Sequence, residues 1–482
     1  MNRQITQLFV VVLALFSLLV VFTSRWTIFE AKGLQDQTAN RRPLLEQLQI
    51  PRGFIYADDG KTVLARNIRH GHGPTLRYSR TYPTDNLFSH VVGYSFISHG
   101  SAGLEKSEND ALAGNNNEFA SIIDELSGQK KVGNDLYTTL DPPAQRLALQ
   151  LLAGRPGSVV ALDPQTGDVR VMASVPNYNP NDIPLHFRQL DRDSSAPLFD
   201  RATQGRYPPG SSMKVVTAVA ALDSRRFTPN SIVSGRSPKV VGGVPLSNCC
   251  TEGSGNYGPL SLTEALAKSV NTVWGEVGER LGKHIMFRYM KRFGFDKRPD
   301  IDLPSQELTP SGVFGSHGQL LGPSDAVDIG RVAIGQERLQ VAPLQMAEVA
   351  AAVANGGKLM KPRLVTKVVN PDGVTKDTVS PSEESTVMKQ STAQAVTAMM
   401  EQVVKAGTAT AAQIPGVTVA GKTGTAEVAN GTSNQAWFIA FAPAEHPRVA
   451  IAVTVERTQG EGGTVAAPMA KQILQLMLRE RR

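Results

Sequence analysis

From Ile5 to Phe22 the chain carries no charged residue, and only Thr6, Gln7 and Ser17 interrupt the apolar run. As a helix its 18 residues reach about 27 Å, close to the roughly 30 Å of a bilayer core. A cleaved signal peptide is the competing reading, but its apolar region is normally shorter and ends at a small-x-small site. Phe22-Thr23-Ser24-Arg25-Trp26 offers no such site, and Trp26 and Phe29 suit an interfacial belt. The pattern predicts an uncleaved anchor. Arg3 before the span and Arg25 and Lys32 after it leave its orientation undecided by flanking charge.

After the anchor, Gln35 to Pro51 is polar and helix-compatible, as a stalk would be. Arg52-Gly53-Phe54-Ile55-Tyr56-Ala57-Asp58-Asp59-Gly60 reads as a strand entering a tight turn. Short strands and Gly/Asn-rich turns such as Gly114-Asn115-Asn116-Asn117 continue to about residue 137, which predicts a small, irregular α+β module. Tyr82 and Phe88 are expected on its surface.

The pattern changes at Gly157. Ser158 to Asp163 and Val169 to Ser174 form a strand pair around the turn Pro164-Gln165-Thr166-Gly167. Val417 to Ala426, Trp437 to Ala442 and Val449 to Glu456 are three further strands, with the turn signal Asn430-Gly431 between the first two. Met213 to Leu222 is apolar almost all round, which predicts a buried helix. Ser261 to Leu281, Ser324 to Ile334 and Pro343 to Asn355 are also helical, the last stopping at Asn355-Gly356-Gly357. A final helix follows Pro468, with Ile473, Leu476 and Met477 on one face. Strands at both ends and helices between them fit one antiparallel sheet flanked by helices.

Composition changes this picture little. The 482 residues are enough for more than one domain, and 41% hydrophobic content supports a large core. A net charge of +7 without a long basic run suits a solvated surface, and nothing points to nucleic acid. The only cysteines, Cys249 and Cys250, are adjacent, so they form no disulfide framework and make a poor metal site. His70-Gly71-His72 is expected in an exposed loop.

Three short motifs carry candidate chemistry. S-x-x-K occurs at Ser127…Lys130 and Ser211…Lys214; S-x-N at Ser107…Asn109, Ser254…Asn256 and Ser269…Asn271; K-T-G once, at Lys422-Thr423-Gly424. Context separates them. Tyr207-Pro208-Pro209-Gly210 opens the buried helix and sets Ser211 at its N-terminus, where free N–H groups stabilise negative charge. Lys214 lies one turn on, on the same face. A serine needs a base, and a lysine serves if burial or a nearby cation such as Lys422 lowers its pKa. Ser127 instead sits in a polar stretch. Ser269-Val270-Asn271 falls at a bend between helical runs, where a hydroxyl and an amide can face a cleft. Strand alternation turns Lys422 and Gly424 to one face and Thr423 and Thr425 to the other. Gly424 is expected to let a ligand backbone approach, and the strand edge to pair with an extended peptide.

In this order, the motifs resemble those of penicillin-binding proteins and serine β-lactamases. Gly157 to Pro164 is similar to the usual opening of the transpeptidase domain. Gly335-Gln336, Pro343-Leu344-Gln345-Met346-Ala347, Ala354-Asn355-Gly356-Gly357 and Trp437-Phe438 are also family-like. Arg52-Gly53 and Gly103-Leu104-Glu105 resemble the pedestal of class B penicillin-binding proteins, and the short chain is similar to compact actinobacterial members. The expected fold is α+β: a transpeptidase domain of the penicillin-binding protein and serine β-lactamase type, with a five-stranded antiparallel sheet flanked by helices. Expected boundaries are 1–34 for tail and anchor, 35–150 for the pedestal and 151–482 for the transpeptidase domain.

The resemblance implies a D,D-transpeptidase of the bacterial membrane, cross-linking peptidoglycan stem peptides outside the cytoplasm and trapped by β-lactams. Ser211 would attack, Lys214 take its proton, Ser269 relay a proton and Asn271 bind the substrate amide. Lys422, Thr423 and Thr425 would hold the terminal carboxylate, and the N–H groups of Ser211 and Thr425 the oxyanion. No cofactor or metal is implied. The implied partner is a multi-pass membrane glycosyltransferase of the shape, elongation, division and sporulation family. A β-lactamase is disfavoured by the anchor, the pedestal and the missing Glu-x-x-Leu-Asn, and a non-catalytic divisome scaffold by the intact motifs. A D,D-carboxypeptidase, using water as acceptor, stays open.

Overall fold

A computed structural model describes residues 2–25, 48–115, 131–248, 255–428 and 432–480. Trp26, Phe29, most of the stalk, Ser127 with Lys130, Cys249, Cys250, Ser254 and Asn430-Gly431 lie outside the described residues.

The chain starts with α1 (Asn2–Ser24), then the short strands β1 (Ile55–Tyr56), β2 (Val63–His70), β3 (Arg77–Thr81) and β4 (Asp135–Thr138). Helix α2 (Pro142–Leu152) leads into β5 (Gly157–Leu162) and β6 (Val169–Val175). Then come α3 (Lys214–Asp223), α4 (Leu262–Ala267), α5 (Asn271–Leu281) and α6 (Pro343–Ala354). The hairpin β7 (Val365–Val369) and β8 (Thr375–Thr378) and helix α7 (Gln390–Ala406) follow. Strands β9 (Ala420–Val428), β10 (Ser433–Ala442), β11 (Val449–Thr458) and helix α8 (Ala466–Glu480) complete the fold.

Helix α1 is exposed along its length and is long and apolar enough to cross a membrane. Two sheets organise the rest. The larger core is a five-stranded antiparallel sheet in the order β9-β10-β11-β5-β6. Every residue of β5 is buried, as are the first seven of β11, so both faces are covered. Helices α2 and α8 pack together on one face, and the almost wholly apolar α6 lies across β5, β10 and β11 on the other. Asp141 starts α2 by accepting from Ala144 N at 2.9 Å, with prolines at the first helical positions, where no N–H partner is needed.

The second sheet has six strands in the order β8-β7-β4-β1-β2-β3. Its β7–β8 hairpin comes from far along the chain and pairs antiparallel with β4, so the pedestal sheet is completed by the C-terminal half. The Gly103-Leu104-Glu105 motif explains itself here. Glu105 is fully buried and holds Arg52 at 2.9 Å and Arg80 at 2.5 Å. Removing one member would leave uncompensated charge in the pedestal core. Tyr82 and Phe88 are not on the surface: both are buried, and the Tyr82 hydroxyl donates to Glu105 and accepts from Ser95 N.

Other expectations shift. The helix expected from Ser324 begins only at Ile329, because Asp328 caps it by accepting from Arg331 N at 3.1 Å. The strand expected from Val417 starts at Ala420, and α8 starts at Ala466, ahead of Pro468. The segment 261–281 is two helices, α4 and α5, broken at Ser269, whose φ is 58°. Residues 211–355, expected to be largely helical, also hold short strand pairs between 232 and 261.

A carboxylate joins the two sheets' territories. Glu307 accepts from Gly103 N at 3.1 and 3.3 Å, at the foot of the pedestal motif. Desolvation, and then the Asp200 charge, outweigh that hydrogen bond and push Glu307 from 4.5 up to about 7. A carboxyl raised on folding binds its proton more tightly when folded, so stability falls as pH rises from about 4.5 to about 7. Glu307→Gln keeps an acceptor without the charge. It should melt higher than wild type at pH 8, with the gap closing by pH 5; a gap that did not change with pH would contradict this.

Candidate active site

Ser211 belongs to a 3-10 turn, Gly210–Met213, that opens the buried helix α3. The turn is clamped from four sides. Tyr207 exchanges both backbone hydrogen bonds with Val341, at 3.0 and 2.9 Å. Trp437 Nε1 donates to Pro208 O at 3.0 Å, and Ser212 Oγ to Pro209 O at 2.7 Å. Gly210, at φ 54°, donates to Gly335 O at 3.0 Å. The turn also touches strand β9: a Cβ on Gly210 would lie 2.7 Å from Thr425 O and 3.1 Å from its N.

Gly424 is needed for this contact. A side chain there would meet Pro209 O at 2.6 Å and Ser212 N at 3.1 Å. On the side where a Cβ would point, what approaches the glycine is the turn carrying Ser211.

The motifs meet in a line of four side chains, Ser211, Lys214, Ser269 and Lys422, with Asn271 beside Lys214. Lys214 and Lys422 are fully buried, and Ser211 is half-buried. Lys214 Nζ donates to Ser211 Oγ at 2.9 Å, to Ser269 O at 2.7 Å and to Asn271 Oδ1 at 2.6 Å, with Ser269 Oγ at 3.3 Å. Lys422 Nζ donates to Ser269 Oγ and to Thr423 O, both at 2.9 Å. A continuous chain of polar atoms runs Ser211–Lys214–Ser269–Lys422. The left-handed backbone at Ser269 turns both its carbonyl and its hydroxyl toward Lys214, while Asn271 opens α5. Asn271 Nδ2 donates to Ser247 O at 3.3 Å, and Thr272 N to Asn248 Oδ1 at 2.9 Å, tying the site to the segment before the cysteine pair.

Strand β9 is an edge strand. Its alternation is as expected, with Lys422 and Gly424 facing the Ser211 turn. Thr423 Oγ1 pairs with Thr408 Oγ1 at 2.6 Å, and Thr425 Oγ1 accepts from Gly462 N at 3.2 Å. Sequence reasoning missed Thr408, which no motif marks.

It also missed Glu456. One oxygen, Oε1, accepts from the Tyr207 hydroxyl at 2.6 Å and from Arg201 Nε at 2.9 Å. Tyr207 then sets its ring edge-on to Trp437, at 6.2 Å and 68°. Burial, and then the Glu456 charge, push the Tyr207 phenol up, so it remains a donor at working pH. Glu456 thus steadies the segment leading into Ser211 without touching the four central side chains. Glu456→Ala should slow β-lactam acylation roughly 10–100-fold by loosening that segment. Glu456→Gln, which retains an acceptor, should recover most of the rate. Equal rates in both variants, with only melting temperature altered, would reduce Glu456 to a structural role.

Comparison with known proteins agrees with this architecture. Residues 157–475 match the penicillin binding protein transpeptidase domain, and residues 52–136 the penicillin binding protein A dimerisation domain. The chain belongs to the penicillin-binding proteins, within class B. It is 34% identical to the peptidoglycan D,D-transpeptidase PbpA of Mycolicibacterium smegmatis, over 100% of both chains. A structure of penicillin-binding protein A from M. tuberculosis as its imipenem acyl-enzyme complex superposes with TM-score 0.79 at 31% identity, covering 90% of this chain and 100% of that one. The D,D-transpeptidase domain of a peptidoglycan glycosyltransferase from Eggerthella lenta gives TM-score 0.78 at 34% identity, covering 90% and 99%.

Proposed function

We propose that this chain is a peptidoglycan D,D-transpeptidase, acylated at Ser211 by stem peptides and by β-lactams. The observation that carries this is the chain of contacts Ser211–Lys214–Ser269–Lys422. Two N–H groups of Lys214 have carbonyl acceptors, Ser269 O and Asn271 Oδ1. A neutral amine so held directs its lone pair at the Ser211 hydroxyl and can take its proton.

Ser211 Oγ adds to the carbonyl carbon between the two terminal D-alanines as Lys214 takes the proton. The N–H groups of Ser211 and Thr425 hold the oxyanion. When the C–N bond breaks, the departing D-alanine nitrogen receives a proton through Ser269, bridged between the two lysines. An amine of a neighbouring stem then attacks the Ser211 ester and loses a proton to Lys214. The new amide leaves and Ser211 regains its hydrogen. Asn271 binds the substrate amide, and Lys422, Thr423 and Thr425 receive the terminal carboxylate.

Residues 1–34 serve as tail and anchor, 35–150 as pedestal and 151–482 as the transpeptidase domain, with β7–β8 completing the pedestal sheet. Helix α1 anchors the chain as a single-pass protein, and the substrate, which lies outside the cytoplasm, sets the catalytic domain on that side. The enzyme receives glycan strands from a multi-pass membrane glycosyltransferase that docks on the span and pedestal. Replacing residues 2–25 with an unrelated span should leave acylation intact and reduce co-purification with the polymerase. The reaction itself is tested with a D-Ala-D-Ala donor, an amine acceptor and mass spectrometry. The cross-linked amide should dominate; hydrolysed donor alone would indicate a carboxypeptidase.

A further inference from the structure

The β2–β3 hairpin of the pedestal carries an excess of positive charge, in a part that the chemistry does not use. Between Gly60 and Thr84 the charged residues are Lys61, Arg66, Arg69, Arg77 and Arg80, with no acid among them. Arg80 is spent inside, on Glu105. The acidic turn Asp58-Asp59 lies just before β2 with Lys61 beside it, Arg66 is mid-strand, and Arg69 and Arg77 lie toward the far end.

The register of β2 and β3 sorts these side chains. Arg66 faces Thr81, Ile68 faces Ser79 and His70 faces Arg77, all on one side of the hairpin; Asn67, Arg69, Tyr78 and Arg80 lie on the other, where Asn67 and Arg80 turn inward and Arg69, nearer the turn, is exposed. Arg66, Arg69 and His70 are exposed, and Ile68 is 44% exposed although it lies mid-strand. Neither the Arg66 nor the Arg69 side chain has an ion-pair or hydrogen-bond partner among the described residues. Ile68 thus shares its face with Arg66, while Arg69 projects from the opposite face nearer the turn, so an apolar side chain and two cations stand together on the outer part of β2. The chain coming from α1 joins the pedestal at this same end, where Leu48 O accepts from Tyr78 N at 2.7 Å, and Tyr78 pairs with Arg69.

We infer that the outer part of the β2–β3 hairpin, from the Arg66–Thr81 pair to its turn, is a membrane-docking surface, in which Arg66 and Arg69, one from each face of β2, meet anionic phospholipid headgroups and Ile68 enters the interface. This rests on the proposed reading of α1 as the anchor. The span holds the pedestal near the bilayer, and the hairpin sets its orientation, so the cleft at Ser211 stands at a defined height above it. Each basic residue near an anionic leaflet contributes roughly five-fold in occupancy, and salt screens the effect.

The full chain, with Cys249→Ser and Cys250→Ser, takes an environment-sensitive fluorophore at Ile68→Cys and is reconstituted in vesicles. With phosphatidylglycerol present, brominated acyl chains should quench the label, and high salt should weaken the quenching. Arg66→Gln with Arg69→Gln should reduce the docked fraction roughly 25-fold in odds, at about five-fold per residue, while penicillin acylation is unchanged. Equal quenching in purely neutral vesicles would overturn the electrostatic docking. No quenching, in protein that resists alkaline carbonate extraction, would overturn the hairpin proposal and leave the anchor standing. Release by carbonate would overturn both.

Discussion

Ser211→Ala will carry no covalent β-lactam label, while wild type is labelled to completion under the same conditions. The substitution removes one oxygen from a half-buried site. Lys214 Nζ keeps Ser269 O and Asn271 Oδ1 as acceptors, so no buried donor is stranded. The stability change should therefore stay within about 1 kcal/mol, and melting temperature should barely move. A gel with fluorescent penicillin reads the first outcome and thermal melting the second. Ser127→Ala supplies the contrast, since it lies in the other S-x-x-K and should label normally. Labelling that survives Ser211→Ala but disappears in Ser127→Ala would move the nucleophile.

What could be read from the sequence depended on whether neighbours or distant partners set the structure. The apolar span and strands β5, β6, β10 and β11 are runs whose burial is written in their own composition. Tyr207-Pro208-Pro209-Gly210 likewise marked Ser211 as the start of a helix. The β7–β8 hairpin gave no such signal, because Thr375–Thr378 is exposed at every residue and owes its strand to pairing with β7. Tyr82 was misplaced because its hydroxyl is satisfied by a carboxylate 23 residues away, Glu105, which no local pattern announces; Phe88 is buried as well. Gly424 shows the same limit in the site. A glycine in a strand announces that some backbone comes close, but not whether it belongs to a ligand or to the turn of Pro209. Glu456 lies 249 residues from Tyr207 in sequence, so no local pattern could connect them.

Lys214→Arg should be almost inactive, although it conserves a positive charge. If Lys214 accepts the Ser211 proton, its replacement must be able to lose one of its own, and a guanidinium does not at any working pH. Loss of a general base costs typically 10²–10⁴-fold, so acylation should fall by roughly that factor. Geometry adds to the loss. The lysine is fully buried and its nitrogen fits between Ser211, Ser269 and Asn271, whereas the larger planar head would overpack the pocket at about 1–3 kcal/mol. Chemistry and packing must therefore be separated. Lys214→Met has a chain of similar length, no charge and no proton to exchange. It should be as slow in acylation as Lys214→Arg, while its melting temperature reports the packing contribution alone. Stopped-flow acylation by a chromogenic β-lactam, read against thermal melting for both variants, distinguishes the cases. Near-wild-type acylation in Lys214→Arg, with Lys214→Met inactive, would mean that the lysine acts only through its charge. The proton of Ser211 would then need another acceptor.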